Sequence, residues 1–211
     1  MGRKSRTKGI TYMNRVAKLM RSATGRSWKR NLEEYRTAND GDVAEEVALT
    51  NGNLDRLPLP LWIEAKHYAG GTPWRDALLQ AIEGVEDLGD DTIPVGWARL
   101  ERFVHPESVD VVALRPRDVR RLTHALITIG VWTFPPPWVR KKVEGRRPRW
   151  KDPLREVLAS PESDIYPVQF RVVARGDRPL DAILTTEEDF IDILAKLTAF
   201  NGWAHVRRTP F

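Results

Sequence analysis

The stretch from Leu57 to Lys66 most constrains how this chain can fold, because it is strongly apolar and yet ends in charges. It begins Leu-Pro-Leu-Pro-Leu, continues Trp-Ile, and closes on Glu64, Ala65 and Lys66. An apolar run of this length favours a central strand over an edge strand. Side chains alternate between the two faces of a strand, so Glu64 and Lys66 share one face and Ala65 points to the other.

Charges on a buried strand need a partner or a metal ion. Asp42, in Gly-Asp-Val, opens another short apolar run 22 residues before Glu64. Two carboxylates brought together can bind a hard divalent cation such as Mg²⁺. A neighbouring lysine can orient or deprotonate an attacking water and offset charge on a phosphate. The pattern predicts a metal-dependent hydrolytic site, and the alternative is an exposed ion pair at a strand edge.

The distribution of charge favours an anionic partner. The 211-residue chain has a formal net charge of +5. Residues 1–30 contain ten Lys or Arg and no acid, and residues 140–151 contain seven against Glu144 alone. Two basic blocks that flank the candidate metal site in sequence favour salt-sensitive contact with a nucleic-acid backbone. The alternative is a solvated tail and a solvated loop.

The composition also excludes several classes of protein. Cysteine is absent, which removes disulfides, thiolate catalysis and Cys-based zinc sites. The basic N-terminus is not followed by an apolar segment, so no signal peptide is expected. The longest mostly apolar run, residues 122–134, is too short to span a bilayer. We expect one sizeable core in a cytoplasmic protein that has no membrane partner.

Hydrophobic periodicity predicts an α/β fold, with a mixed central sheet flanked by helices. An amphipathic helix is expected from Lys8 to Ala23, ended by Gly25. A second helix over residues 72–88 should begin with a capping Thr72 hydroxyl and Pro73. Its inner face should consist of Trp74, Ala77, Leu78, Ala81 and Val85. The other expected elements are strands at 43–49, 59–66, 93–100 and 109–114 and a helix at 116–126.

Two later stretches have the same order of elements. Residues 93–122 and 166–194 both show the pattern strand, turn, strand, capped helix, with Thr185 or Thr186 as the second cap. They are either duplicated ββα units or chance copies of a common motif. We expect a core over residues 1–130, a Pro-rich basic linker over 131–150 and a C-terminal ββα-like subdomain over 151–211.

About the first 125 residues resemble the PD-(D/E)xK nuclease superfamily, above all its phage-encoded and archaeal Holliday-junction-resolvase-like members. Four stretches carry the resemblance: Ser5–Gly9, Gly41–Ala44, Ile63–Lys66 and Trp74–Ala81. The resemblance implies a restriction-endonuclease-like core that hydrolyses branched or duplex DNA with Mg²⁺ or Mn²⁺. Resolvases cut two strands symmetrically, so a homodimer is expected. A phage-encoded protein of this kind would act in the host cytoplasm.

The resemblance also implies roles for single residues. Asp42 and Glu64 would be metal ligands, with the carbonyl of Ala65 as a possible third. Lys66 would position the nucleophilic water, and Gln80 would lie near the site as a further candidate catalytic residue or as an ordinary polar helix residue. The expected DNA contacts are Arg3, Lys4, Arg6, Lys8 and Arg30.

Family members commonly carry a Glu on the first helix, and this chain has Met13 there. Metal binding is then weaker, or another acid such as Glu33 or Glu34 substitutes. An enzyme of this type would be a junction resolvase or a repair or restriction-type endonuclease. The non-enzymatic alternative is a DNA-binding protein with a degenerate, inactive core.

The separation between Asp42 and Glu64 is longer than the compact family pattern. Asp55 is therefore a rival for the Asp position. Asp42 is preferred because Val43 continues as a strand should, whereas Pro58, shortly after Asp55, breaks a strand.

Overall fold

The apolar run around Ile63 forms strand β5 (Leu61–His67) in the interior of an eight-stranded sheet. The computed structural model describes residues 3–31, 41–47, 49–50, 53–54, 57–67, 72–88, 91–104, 107–133, 139–141, 168–172 and 180–208. Three candidate acids from the sequence, Glu33, Glu34 and Asp55, lie outside these residues. So does most of the basic segment 140–151.

The sheet is mixed, as the sequence predicts. Its order is β1-β2-β5-β6-β7-β10-β9-β8 when the strands are numbered along the chain. The β5–β6 and β8–β9 pairs are parallel, the other pairs are antiparallel, and β3 with β4 forms a separate two-stranded ribbon. The remaining strands are β1 (Trp28–Arg30), β2 (Val43–Glu45), β3 (Leu49–Thr50), β4 (Asn53–Leu54), β6 (Ile93–Val104), β7 (Glu107–Leu114), β8 (Val139–Lys141), β9 (Val168–Val172) and β10 (Leu180–Thr186).

Helices cover both faces of the sheet, which confirms the predicted α/β arrangement. The helices are α1 (Arg3–Thr24), α2 (Pro73–Val85), α3 (Pro116–Thr128), α4 (Glu187–Ala199) and α5 (Trp203–Arg208). Apolar residues of α1, α3, α4 and α5 share one core cluster on one face. Helix α2 packs on the opposite face, where Trp74 and Leu78 contact a second cluster. Parallel pairing of β5 with β6 requires such a crossover helix between them.

The alternation of side chains along β6 shows how the two faces are filled. Val95 and Trp97 belong to the cluster under α1, whereas Ala98 belongs to the cluster under α2. The Trp97 ring meets the Phe190 ring edge to face, with 5.7 Å between centroids. On the α2 side, a Cβ at Gly96 would lie 2.5 Å from the backbone N of Leu78, so the helix approaches the sheet closely there.

Helix α1 begins at Arg3, five residues before the predicted start at Lys8. No proline interrupts residues 3–8, so the helical backbone extends through this basic segment. The predicted C-terminus is confirmed. Gly25 adopts φ +62°, and its N–H donates to the carbonyl of Arg21 at 2.9 Å.

The C-terminal segment joins the same sheet. Strand β10 pairs with β7, with Ile183 opposite Leu114, and Phe190 of α4 lies in the same cluster as Tyr12 of α1. The two strand–strand–helix units therefore meet through their second strands. Residues 180–208 are part of the core, where we expected a separate subdomain. The division at residue 130 does not divide the sheet, because β10 extends it beyond β7.

The predicted linker over residues 131–150 is described only in part. Val131 and Trp132 pack against the main core cluster, and residues 139–141 form β8. Residues 134–138 and 142–150 lie outside the described residues. Among the helices that the structure does describe, none combines the length and apolarity needed to cross a membrane.

Candidate active site

Asp42 and Glu64 face each other across neighbouring strands. The antiparallel β2–β5 pair has Val43 opposite Ile63, which places the preceding Asp42 opposite Glu64. Val43 and Ile63 point into the cluster under α1, so the two carboxylates lie on the other face. Both residues are buried, with 2% of Asp42 and 4% of Glu64 exposed.

Lys66 completes a three-residue cluster. Its Nζ lies 3.9 Å from Asp42 Oδ2 and 3.9 Å from Glu64 Oε2. The lysine side chain is 24% exposed, whereas both carboxylate side chains are at most 5% exposed. The structure therefore brings together the three residues that the sequence assigned to one site, and the ammonium group is the part of the cluster that reaches solvent.

Asp42 is held in place by the backbone of its neighbouring strand. Its Oδ2 accepts a hydrogen bond from the N–H of Ala65 at 2.8 Å. Its own carbonyl accepts from the N–H of Asn31 at 3.0 Å. The structure thus ties Ala65 to the site through its amide, and Asp42 is fixed by contacts to β5 and to the residue that follows β1.

The two carboxylate oxygens of Glu64 differ in their hydrogen bonding. Oε1 accepts from the indole Nε1–H of Trp62 at 3.0 Å. Oε2 is buried and has no hydrogen-bond partner among the described residues. Burial first, and then the charge of Asp42, raises the pKa of Glu64 to about 8. Oε2 lies 3.9 Å from Lys66 Nζ, and because it accepts no hydrogen bond, a cation in direct contact with it would stabilise the charged carboxylate.

The donor set fits a small divalent cation that retains water ligands. Mg²⁺ is commonly bound through one or two carboxylates, with water completing an octahedron. Asp42 and Glu64 supply two carboxylates, one of which has the partnerless Oε2. The part of the chain that the structure describes contains no group of three or more His, Cys, Asp or Glu side chains placed to hold a metal. Backbone carbonyls and water would have to supply the remaining ligands.

Gln80 and Met13 do not join the cluster. Gln80 is exposed on α2, and none of the described hydrogen bonds links it to Asp42, Glu64 or Lys66. The buried face of that helix is the one predicted, formed by Trp74, Ala77, Leu78, Ala81 and Val85. Met13 is half-buried against the core cluster on the α1 side of the sheet, which is the face opposite to Glu64.

The predicted DNA-contacting residues lie along α1 and β1. Arg3, Lys4 and Arg6 are part of the α1 backbone, and their side chains are outside the described set. Lys8 Nζ lies 3.2 Å from Glu101 Oε1, and the lysine side chain is 60% exposed. Arg30 is half-buried on β1. A surface ion pair such as that of Lys8 contributes little stability. Lys8 could therefore exchange Glu101 for a DNA phosphate at little energetic cost.

The opposite face of the sheet carries an ionic network that the sequence did not indicate. Tyr12 donates to Asp110 Oδ1 at 2.8 Å, and burial, followed by the Asp110 charge, raises the pKa of Tyr12. Arg15 lies 3.2 Å from Asp110 and binds both oxygens of Glu187. Trp97 donates to the same Glu187 at 3.0 Å. These contacts tie α1 to β6, β7 and α4.

A cavity of about 710 Å³ adjoins this network. It is lined by Thr7, Lys8, Thr11, Tyr12, Arg15, His67 and Arg99. The His67 ring lies 5.3 Å from the Tyr12 ring, and its Nε2 is 2.8 Å from Glu101. Lys8, Arg15 and Arg99 are each within 4 Å of a carboxylate, so the charge around the cavity is largely balanced.

Sequence reasoning missed the contribution of Trp62, Gly41 and Gly84 to the site. From the sequence alone, Trp62 is interpreted only as part of an apolar run. Its spacing of two residues from Glu64 nevertheless places both side chains on one face of the strand. That spacing was the available signal. Gly41 and Gly84 approach the indole so closely that an added Cβ would lie within 3.0 Å of it. They come from elements far apart in sequence, so no local pattern marked them.

Searches against protein-family models, curated proteins and solved structures found no match to this chain.

Proposed function

We propose that this protein is a divalent-metal-dependent endonuclease that hydrolyses phosphodiester bonds in DNA. The observation that carries the proposal is the convergence of Asp42, Glu64 and Lys66, with Lys66 Nζ 3.9 Å from a carboxylate oxygen of each partner. The resemblance of the same residues to the PD-(D/E)xK pattern supports the choice of reaction. The basic N-terminal segment and the net charge of +5 support a nucleic-acid substrate.

In this proposal the two carboxylates hold the cation and the lysine acts on the substrate side. Bound Mg²⁺ or Mn²⁺ supplies positive charge that stabilises the developing charge on the phosphate. Asp42 is positioned for this by the N–H of Ala65, and Glu64 offers its free Oε2. Lys66 is the most exposed member of the cluster, so its ammonium group can orient the attacking water and contact a phosphate oxygen.

The substrate within this class is branched DNA, on the basis of the resemblance to junction resolvases. Symmetric cleavage of a junction needs two active sites, so the proposed working form is a homodimer. A repair or restriction-type endonuclease on the same framework would instead cut duplex DNA. The two differ in which DNA structure is cleaved, because a shared fold does not fix the substrate.

A second candidate function is DNA binding without cleavage. The observations that favour it are the exposed position of Gln80, the apolar Met13 in place of a helix acid, and the pairing of Lys66 with both carboxylates. In that case the three charged residues would form a buried ion cluster that stabilises the sheet, and divalent cations would leave DNA intact.

The two functions are separated by cleavage assays, with and without added Mg²⁺, on a synthetic four-way junction, matched duplex and single-stranded DNA. We expect wild-type protein to nick the junction only when Mg²⁺ is present. Lys66→Ala should bind the junction but not cut it. Lys196→Ala, which removes an exposed lysine paired with Asp192 on α4, is the matched control and should cut normally. Cleavage that survives Lys66→Ala, or none by wild type, would contradict the proposal.

A further inference from the structure

Trp62 is the one neutral side chain that is hydrogen-bonded to a carboxylate of the cluster among the described residues. Its indole N–H donates to Glu64 Oε1 at 3.0 Å, and both residues are nearly fully buried. The bond to Oε1 restricts the orientation of the carboxylate and leaves Oε2 as the oxygen without a hydrogen bond. Lys66 Nζ is 3.9 Å from that same Oε2. The donor therefore decides which oxygen of Glu64 remains available.

The position of the indole is restricted, because helix α2 packs closely against it at Gly84. A Cβ at Gly84 would lie 2.5 Å from Cε2 and from Cζ2 of Trp62, and 2.7 Å from its Nε1. Real Cβ contacts are not that short, so only glycine lets the helix backbone lie against the ring. Ala81 and Val85 of the same helix pack with Trp62 in a small separate cluster.

The residue before Asp42, Gly41, also lies close to the indole. A Cβ at Gly41 would lie 3.0 Å from Trp62 Nε1 and 2.6 Å from the carbonyl oxygen of Ile63. The same glycine thus allows β2 to approach β5 and brings Asp42 beside Ala65. The ring that is hydrogen-bonded to Glu64 and the backbone that precedes Asp42 are therefore close neighbours.

We infer that Trp62 is a positioning residue for the metal site, which holds Glu64 so that Oε2 is presented to the cation. This inference rests on the proposed function, since the role is defined toward a divalent ion. A donor that holds a metal-ligating carboxylate typically contributes 10- to 100-fold to metal affinity. The competing explanation is that Trp62 only fills space between β5 and α2.

The test is Mn²⁺ binding to the DNA-free protein, measured by calorimetry, in wild type, Trp62→Phe and Trp28→Phe. Phenylalanine keeps a ring in place but removes the donor. Trp28 is the matched control, because it is also buried and donates one 3.0 Å hydrogen bond, to Thr24 on the α1 side of the sheet. We expect Mn²⁺ to bind Trp62→Phe at least about tenfold more weakly than wild type, and Trp28→Phe to bind it normally.

A second pair of variants covers the case in which Trp62→Phe does not fold. Gly84→Ala keeps the indole donor but displaces the ring, and alanine favours the helix. Gly9→Ala, within α1 and with no atom near the new Cβ, is its control. We expect weaker Mn²⁺ binding in Gly84→Ala alone. The N–H resonance of the Trp62 indole should also shift in Glu64→Gln without any metal, as a direct contact requires.

The outcomes separate the two proposals. Equal Mn²⁺ affinity in wild type, Trp62→Phe and Gly84→Ala would overturn the positioning role and leave the nuclease proposal standing. Absence of Mn²⁺ and Mg²⁺ binding by wild type would overturn both. A loss of affinity confined to Trp62→Phe and Gly84→Ala, with cooperative unfolding retained, would support the positioning role over simple packing.

Discussion

The carboxylate of Asp42 accepts a hydrogen bond from the backbone N–H of Ala65 at 2.8 Å, across 23 residues of sequence. The bond joins the start of β2 to the strand that carries Glu64 and Lys66. Asp42 therefore has a structural role, as a hydrogen-bond acceptor between strands, in addition to its proposed role as a charged metal ligand.

The structural and the metal-binding roles of Asp42 can be separated by substitution. Asp42→Asn keeps an oxygen that can accept from Ala65 and removes the charge, so we expect near-native stability without DNA cleavage. Asp42→Ala leaves a buried N–H without a partner and should cost about 1–3 kcal/mol of unfolding free energy. Urea unfolding of both variants measures the difference. Equal stability would show that the bond to Ala65 contributes nothing, and cleavage by Asp42→Asn would exclude Asp42 as a required ligand.

The pKa of Glu64, raised to about 8 from the usual 4.5, predicts an unusual pH dependence of stability. Between these values the folded protein binds a proton at Glu64 that the unfolded chain releases. The free energy of unfolding of the metal-free protein should therefore fall as pH rises from about 4.5 to about 8, by roughly 1 kcal/mol per pH unit.

Chemical denaturation at several pH values, in wild type and Glu64→Gln, measures this dependence. The variant does not titrate at this position, so its stability should change less over the same range. Added Mg²⁺ should restore stability at pH 8 in wild type only, because a cation replaces the proton at the carboxylate. Identical pH profiles for the two proteins would refute the assignment to Glu64.

The N-terminal segment should supply DNA affinity without taking part in chemistry. Replacing Arg3, Lys4 and Arg6 with glutamine removes three cations and keeps a good helix-forming residue in α1. The slope of log affinity against log salt should become shallower by about 0.9 for each lost phosphate contact. Cleavage at saturating protein and low salt should persist. Fluorescence anisotropy across a salt series gives the slope.

A matched substitution on α4, Lys196→Gln, should leave that salt slope unchanged. An unchanged slope in the triple variant as well would remove the first turns of α1 from the DNA interface. The remaining basic segment, over residues 140–151, would then be the region to test.

Two threonines at helix starts should differ in their contribution to stability. Thr186 Oγ1 accepts from the N–H of Asp189 at 3.2 Å at the start of α4. Thr72 occupies the corresponding position before α2, but its side chain makes no capping hydrogen bond. Thr186→Ala should cost about 1 kcal/mol and Thr72→Ala much less. Thermal unfolding of the two variants measures the loss of stability in each. An equal loss would show that the capping hydrogen bond of Thr186 does not contribute.

Local patterns in the sequence were enough to place much of the site. The apolar lead-in to Glu64 indicated a buried strand, and the two-residue period put Glu64 and Lys66 on one face. The helical period identified the buried face of α2. These predictions succeeded because burial and period are encoded within a few neighbouring residues.

Features that depend on distant residues could not be predicted in this way. Strand β1 has three residues, which is too short for a periodic signal, and its partner Val43 lies beyond residues of no clear pattern. The pairing of Ile183 with Leu114 depends on which strand edge is free once the rest of the sheet has formed. Thr72 has the sequence of a cap, yet its backbone, at φ −129° and ψ 71°, is accompanied by no capping bond.

The ion pair between Arg15 and Glu187 spans 172 positions of the chain, and this separation has a consequence for synthesis. A ribosome that adds about 5–20 residues per second needs roughly 9–34 s to travel from one residue to the other. During that time the apolar stripe of Tyr12, Val16 and Met20 lacks the covering side chains of α4. We expect the nascent chain to be prone to aggregation through that stripe until α4 has been synthesised.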